Sequence, residues 1–198
     1  MPRRFPADVP VLTDGTVTLR AHGPQDAGAI VEQCSDPLTQ RFTTVPRPYG
    51  PQQAADFLAQ IRAAWEESSP TSSRYWAICV GPPDPVPFAG SIDYRPTGMG
   101  TAEVGFGLHP RARGRGAMTR ALNLVLDYAF GQDGLELMHW RAVVGNWASR
   151  KVAWHAGFRL EGTVRMLCPH PGGAEDGWIA SLHRNDPRQP GEPWPVIR

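Results

Sequence analysis

The chain has 198 residues, 41% of them hydrophobic, a formal net charge of +1 and three cysteines. That length suits one domain with a sizeable core, and so small a charge gives no global reason to bind nucleic acid. No apolar run reaches the roughly eighteen residues of a membrane span, MPRRFPADVPVL lacks the apolar centre of a signal peptide, and Cys34, Cys79 and Cys168 form no CxxC pair, which fits a reducing cytoplasm and argues against a zinc site.

Taken in chain order, residues 1–14 are proline-rich and expected to be loose. TVTLRA (Thr16 to Ala21) alternates as a strand. Pro24 to Ser35 reads as a helix with Ala27, Ile30, Val31 and Cys34 on one face, stopped by Asp36-Pro37. Residues 38–50, with Pro46, Pro48 and Gly50, are expected to be irregular. Pro51 to Glu67 is a second helix, with proline suitably in its first turn and a stripe of Ala54, Phe57, Leu58, Ile61 and Trp65. RYWAICV (Arg74 to Val80) and Phe88 to Tyr94 flank the turn GPPDPVP as an antiparallel hairpin.

The next stretch, TAEVGFGLHPRARGRGAMTRALNLVL (Thr101 to Leu126), carries the chemistry. A strand ends at His109-Pro110, four arginines (Arg111, Arg113, Arg115 and Arg120) crowd around Gly114 and Gly116, and a helix follows. A helix N-terminus presents free N–H groups and a partial positive charge, glycines let backbone approach closely, and arginines add planar donors, so the stretch is suited to a phosphate. Beyond it come a strand from Glu136 to Val144, a helix from Asn146 to Ala156 capped by Gly157, and two closing strands, Phe158 to Leu167 and Trp178 to His183. The tail from Pro187 to Arg198 is expected to be irregular. A hairpin followed by a βαβ unit, with helices inserted early, implies an α/β (α+β) architecture: one mixed, largely antiparallel sheet with helices on both faces.

PRARGRGAMTRAL, followed by GNWASRKVAWHAGFRLEGTVR, resembles the GNAT superfamily of N-acetyltransferases, and more closely its RimJ/RimL-type branch. The resemblance implies the GNAT fold over residues 10–186, with irregular tails at 1–9 and 187–198, a splayed pair of parallel strands, and acetyl-CoA as cosubstrate without a metal. The family motif Gln/Arg-x-x-Gly-x-Gly/Ala fits in two registers. Arg111-x-x-Gly114-x-Gly116 matches the letters better; Arg113-x-x-Gly116-x-Met118 keeps the spacing from Pro110 and starts the helix right after the glycine, and is preferred. By this resemblance Arg113, Gly114, Arg115, Gly116, Ala117 and Met118 cradle the pyrophosphate and Thr119 adds a hydroxyl. Pantetheine lies along Phe106, Gly107 and Leu108, and Asn146 bonds its arm. Asn146 is equally a natural helix N-cap, and Arg150 and Lys151 are as well suited to a solvated face as to the adenosine 3′-phosphate.

Acetyl transfer to an amine needs a neutral nitrogen, donors for the oxyanion and a proton for the leaving thiolate. A strand N–H near Phe106 is placed to supply an oxyanion donor. Glu103, on the strand that carries the thioester, is the first candidate base; a surface ion pair is the alternative. Ser149 stands where RimJ/RimL-type proteins often have a serine proposed as acid, and Ala153 replaces the tyrosine of other branches. Asp176 is a weaker candidate for touching the amine. The expected activity is acetyl transfer to a primary amine, either a peptide N-terminus or a small molecule. A non-catalytic acyl-CoA sensor on the same fold stays open. A dinucleotide site fits poorly, because the third glycine is missing and Glu136 starts its strand instead of ending it. No Gly-Lys-Ser/Thr follows the loop for a nucleoside triphosphate. A homodimer is the default oligomer.

Overall fold

The computed structural model describes residues 8–67, 69–81 and 87–195. The expected loose segment 1–7, the tip of the hairpin turn at 82–86 and residues 196–198 lie outside them. An eight-stranded sheet is formed by β1 (Leu12–Thr13), β2 (Val17–Arg20), β3 (Arg74–Val80), β4 (Phe88–Gly98), β5 (Thr101–Leu108), β6 (Leu137–Val143), β7 (Arg159–His170) and β8 (Gly173–His183). Its spatial order is β1-β2-β3-β4-β5-β6-β8-β7, and every neighbouring pair is antiparallel except β5–β6. The helices are α1 (Ala27–Ser35), α2 (Pro37–Phe42), α3 (Pro51–Glu67), α4 (Ala117–Gly131) and α5 (Trp147–His155).

Strand alternation sorts the residues onto two faces. One face carries Val17, Leu19, Trp76, Ile92, Tyr94, Ala102, Val104, Met138 and Trp140, all buried. They pack on Ala121, Leu122, Val125 and Leu126 of α4. Each fully buried Leu or Val there contributes about 1.5–3 kcal/mol. The opposite face is closed over β3 and β4 by α1 and the start of α3, through Ile30, Cys34 and Ala54 on Ala77 and Phe88. Ser91, Asp93, Glu103, Gly105, Gly107, His139 and Arg141 belong to this second face, by their alternation with the first set.

Two expectations give way. Within residues 8–14 the chain is tied down: Leu12–Thr13 pairs with β2, and the indole N–H of Trp76 donates to the Pro10 carbonyl at 2.9 Å. The segment expected to be irregular opens with α2. Asp36-Pro37 ends α1 and also starts the next helix: the Asp36 carboxylate accepts from Thr39 N at 3.0 Å, and Pro37 occupies the first helical position, where its missing N–H costs nothing. The tail beyond β8 has no regular element up to residue 195, and it is docked. Trp154 Nε1 donates to the Glu192 carbonyl at 2.7 Å, and Trp194 packs against Trp147 and Trp154.

Candidate active site

Parallel pairing between β5 and β6 runs through Thr101↔Leu137, Ala102↔Met138, Glu103↔His139 and Val104↔Trp140, then stops. β5 stays paired with β4 as far as Leu108, and β6 with β8 as far as Val143. Each strand thus follows its own outer partner, and a gap opens between them beyond Val104. The β5 edge facing this gap, along Phe106, Gly107 and Leu108, is without a strand partner, so an extended chain bearing amides can pair there as an added strand would.

The end of that edge runs into the glycine–arginine loop. Gly116 takes φ 74 as the N-cap of α4, and Gly114 takes φ 77; both are left-handed conformations that favour glycine. The helix starts at Ala117, immediately after Gly116. The first helical bond of α4 runs from Arg120 N to the Gly116 carbonyl at 3.2 Å. The N–H groups of Ala117, Met118 and Thr119 precede it, at the end of the helix where donors lack intrahelical partners and a dipole favours an anion. A groove of about 570 Å³ continues from this end past Gly116, Thr119 and Asn123 to His155.

The three loop arginines and Arg120 of α4 have different partners. Arg113 turns away from α4: Nη2 donates to Asp36 at 2.7 Å and to Thr39 Oγ1 at 3.1 Å, and Nε donates to the Leu108 carbonyl. Arg111 donates to the Phe88 carbonyl, and Arg120 pairs with Asp14 of the β1–β2 turn at 2.8 Å. Arg115 is exposed, beside the glycines. His109 Nδ1 accepts from Arg111 N, which leaves Nε2 to donate to Glu32 of α1 at 3.0 Å.

Across the gap, Asn146 caps α5, accepting from Ser149 N at 3.2 Å. Ser149 Oγ accepts from the Trp140 indole N–H at 3.0 Å, which leaves the hydroxyl proton of Ser149 free to be donated. Trp140 is the last β6 residue in the parallel ladder, so the residue that holds this hydroxyl stands where the strands part. Arg150 stacks over Trp147 and Trp178, with its Cζ 5.1 and 4.6 Å from their ring centres.

Glu103 lies on the second face, beside the last rungs. Oε1 accepts from Arg95 Nη2 at 3.1 Å and from Arg141 Nε at 3.0 Å. Asp93, one strand over on β4, stands in register with Gly105. Its side chain is 18% exposed and one oxygen, Oδ2, is buried without a hydrogen bond; Arg95 Nε approaches it only to 3.6 Å. Burial pushes the Asp93 carboxyl up to about 7, with Arg95 pulling it down and Glu103 raising it further. Sequence reasoning passed over Asp93. The available signal was an acid at the middle of SIDY, on the central half of a hairpin strand. Asp176 instead accepts from Met166 N at 3.1 Å, fixing a left-handed residue (φ 54) where the β7–β8 register shifts.

Among the described residues no cluster of His, Cys, Asp and Glu could hold a metal, and no helix is long and apolar enough to cross a membrane. The fold recurs in solved structures. Mycobacterium smegmatis RimJ in complex with CoA-disulfide is similar with a TM-score of 0.76 at 19% identity, over 90% of this chain and 89% of that one. The Microcin C7 self immunity acetyltransferase MccE, in complex with acetyl-CoA and AMP, has a TM-score of 0.73 at 19% identity, over 87% of this chain and 98% of that one. In sequence, the Bacillus subtilis (strain 168) protein named "Probable N-acetyltransferase YjcK" is 34% identical over 89 residues, 45% of this chain; the match spans about half of that relative's length (49%). The sequence profile of the Acetyltransferase (GNAT) domain matches residues 16–159. A split parallel ladder that leads into a glycine-capped helix is therefore, in this chain, the centre of a GNAT acetyltransferase domain, and the chain belongs to that family.

Proposed function

We propose that the chain is an acetyl-CoA-dependent N-acetyltransferase of the RimJ/RimL type. It moves an acetyl group to a primary amine, on a peptide N-terminus or a small molecule, by direct attack on the thioester. The observation that carries this is the continuous path from the gap beyond Val104↔Trp140 to the left-handed Gly116. An extended amide chain fits the open β5 edge, and a pyrophosphate fits the N–H groups at the start of α4. In this reading Phe106, Gly107 and Leu108 pair with pantetheine, and Asn146 flanks it across the gap. Gly114, Arg115, Gly116, Ala117, Met118 and Thr119 hold the pyrophosphate. Arg113 keeps the loop in shape through Asp36 and adds its charge at one remove. Ser149, aligned by Trp140, gives a proton to the departing sulfur. The name of RimJ supports the branch, that of YjcK supports N-acetyl transfer, and the acetyl-CoA bound by MccE supports the acyl donor. Three free, buried cysteines suit a reducing compartment, taken as the cytoplasm.

The test is thiol release from acetyl-CoA over an amine panel of Ser- and Ala-initiated tetrapeptides, spermidine and an aminoglycoside, alongside calorimetry with acetyl-CoA and NADH. Turnover with at least one amine is expected. NADH binding without CoA binding would sink the reading. Tight CoA binding without turnover would make the chain a sensor.

A further inference from the structure

We infer that Asp93, in register with Gly105 just past the last β5–β6 rung, takes the proton from the acceptor amine, and that Glu103 is a positioning residue acting through Arg95. The inference rests on the acetyl-transfer reading above and adds a residue to it.

Three observations carry it. Place comes first. Asp93 pairs across the ladder with Gly105, one residue beyond Val104, where β5 leaves β6 and its edge becomes free for the acyl chain. A Cβ added at Gly105 would lie 3.1 Å from Asp93 Oδ1 and 3.0 Å from Arg95 Nη2. The absent side chain is therefore what leaves this carboxylate against the β5 backbone.

Free valence comes second. Glu103 already accepts from Arg95 and Arg141 through Oε1, and taking a proton would mean losing charge-assisted bonds. Among the described residues Asp93 Oδ2, itself buried on a side chain that is 18% exposed, has no hydrogen bond, and Arg95 Nε stands 3.6 Å from it. A carboxylate in that state gains a partner when an ammonium arrives.

Electrostatics come third. The titratable and charged groups around Asp93 are Arg95 on its own strand, Glu103 across β5 with Arg141 behind it on β6, and Tyr75, its register partner on β3. Arg95 and Arg141 both pair with Glu103, and the pull of Arg95 on Asp93 is outweighed by burial. Asp93 is left as a carboxylate whose proton affinity burial has raised to near neutrality, the range in which a general base works best. Ser149 lies by Trp140 on the opposite face, so the acid and the base approach one gap from its two sides.

The acceptor ammonium gives one proton to Asp93. The freed nitrogen lone pair forms the N–C bond at the thioester carbonyl. The C–S bond then breaks and sulfur leaves with its electron pair. Sulfur takes a proton through Ser149, which is replenished by the second proton lost from nitrogen as the amide forms. Asp93 then passes its proton to water.

The experiment compares wild type, Asp93→Asn, Asp93→Glu and Glu103→Gln by thiol release from acetyl-CoA over the same amine panel, from pH 5.5 to 9.5. Acetyl-CoA affinity and Tm are measured in parallel. Wild-type kcat/KM should rise as pH climbs through about 7, because the base must be ionised. Asp93→Asn should lower kcat by about 100-fold or more and remove that limb, with acetyl-CoA affinity kept within about threefold. Asp93→Glu should recover part of the rate, which a lost fold could not. Glu103→Gln should move the limb and cost less than Asp93→Asn. Wild-type turnover together with an Asp93→Asn variant of unchanged kcat or unchanged limb overturns this inference alone. A wild type silent with every amine overturns the acetyl-transfer reading, and this inference with it.

Discussion

Arg113, in the loop before α4, donates to Asp36, the N-cap of α2, at 2.7 Å, although 77 residues separate them. One carboxylate thus caps a helix and pins the loop that introduces another. Burial alone would raise the Asp36 carboxyl, but Arg113 and the Thr39 N–H outweigh it and hold it below the usual range. Its contribution is therefore present above the unfolded carboxyl range near 4 and is lost as pH falls through the lower folded value. Asp36→Ala should cost the cap, about 1 kcal/mol, plus a smaller ion-pair contribution, and lower Tm by about 3–6 °C. Asp36→Asn keeps the cap and should cost less. Thermal melts at neutral pH check the order of the two variants.

Gly116 and Gly98 are both left-handed, at φ 74 and φ 95, and neither would bring a Cβ within 4 Å of anything. Alanine at either site should cost about 1–2 kcal/mol of backbone strain. Only Gly116→Ala alters the approach to the α4 N–H groups. Calorimetry should show acetyl-CoA affinity falling about tenfold or more for Gly116→Ala and staying unchanged for Gly98→Ala. Equal affinities would remove the loop from the binding site.

Ser149→Ala should act in two ways. It removes the proton donor of the proposed mechanism, and it leaves the buried Trp140 N–H without its acceptor. The second effect should cost about 1–3 kcal/mol in stability. The first should lower kcat by about 10–100-fold with KM little changed, the modest end for acid catalysis because a thiolate leaves readily. Ser149→Thr keeps the hydroxyl and should restore most of both.

His22, whose Nε2 is 2.9 Å from Ser91 Oγ, is held down to about 4, mainly by burial, with Asp26 opposing and Arg20 adding to the effect. Between about 4 and the ordinary value of 6.5 the unfolded chain binds a proton that the folded one refuses, so this residue lowers stability as pH falls through that window. Asp93 acts in the opposite direction there, since its folded form holds a proton that the unfolded form releases. The two offset each other in the wild-type profile. Removing one exposes the other: His22→Gln should gain Tm relative to wild type as pH drops from 6.5 to 4. A difference independent of pH would show that His22 does not titrate as its surroundings require.

By itself the sequence determined most of the elements and the glycine turn before α4. Periodicity at Ala54, Ile61 and Trp65, the run RYWAICV, and a glycine placed just before Ala117 depend on neighbours along the chain, and local chemistry decides them. Along the chain Asp36-Pro37 reads as only a stop, but the same pair that ends one helix also caps the next, a second role that the helix following it reveals. Contacts between distant segments decided the rest. The parallel ladder stops at Val104↔Trp140 because β5 follows β4 while β6 follows β8. Arg113 and Glu103 are engaged by Asp36, Arg95 and Arg141, partners that only folding delivers. Asp93 gains its raised proton affinity from burial beside a glycine on the neighbouring strand. A side chain's type can be read from the sequence, but its solvation and its partners are properties of the assembled sheet, and those set which carboxylate is free to accept a proton.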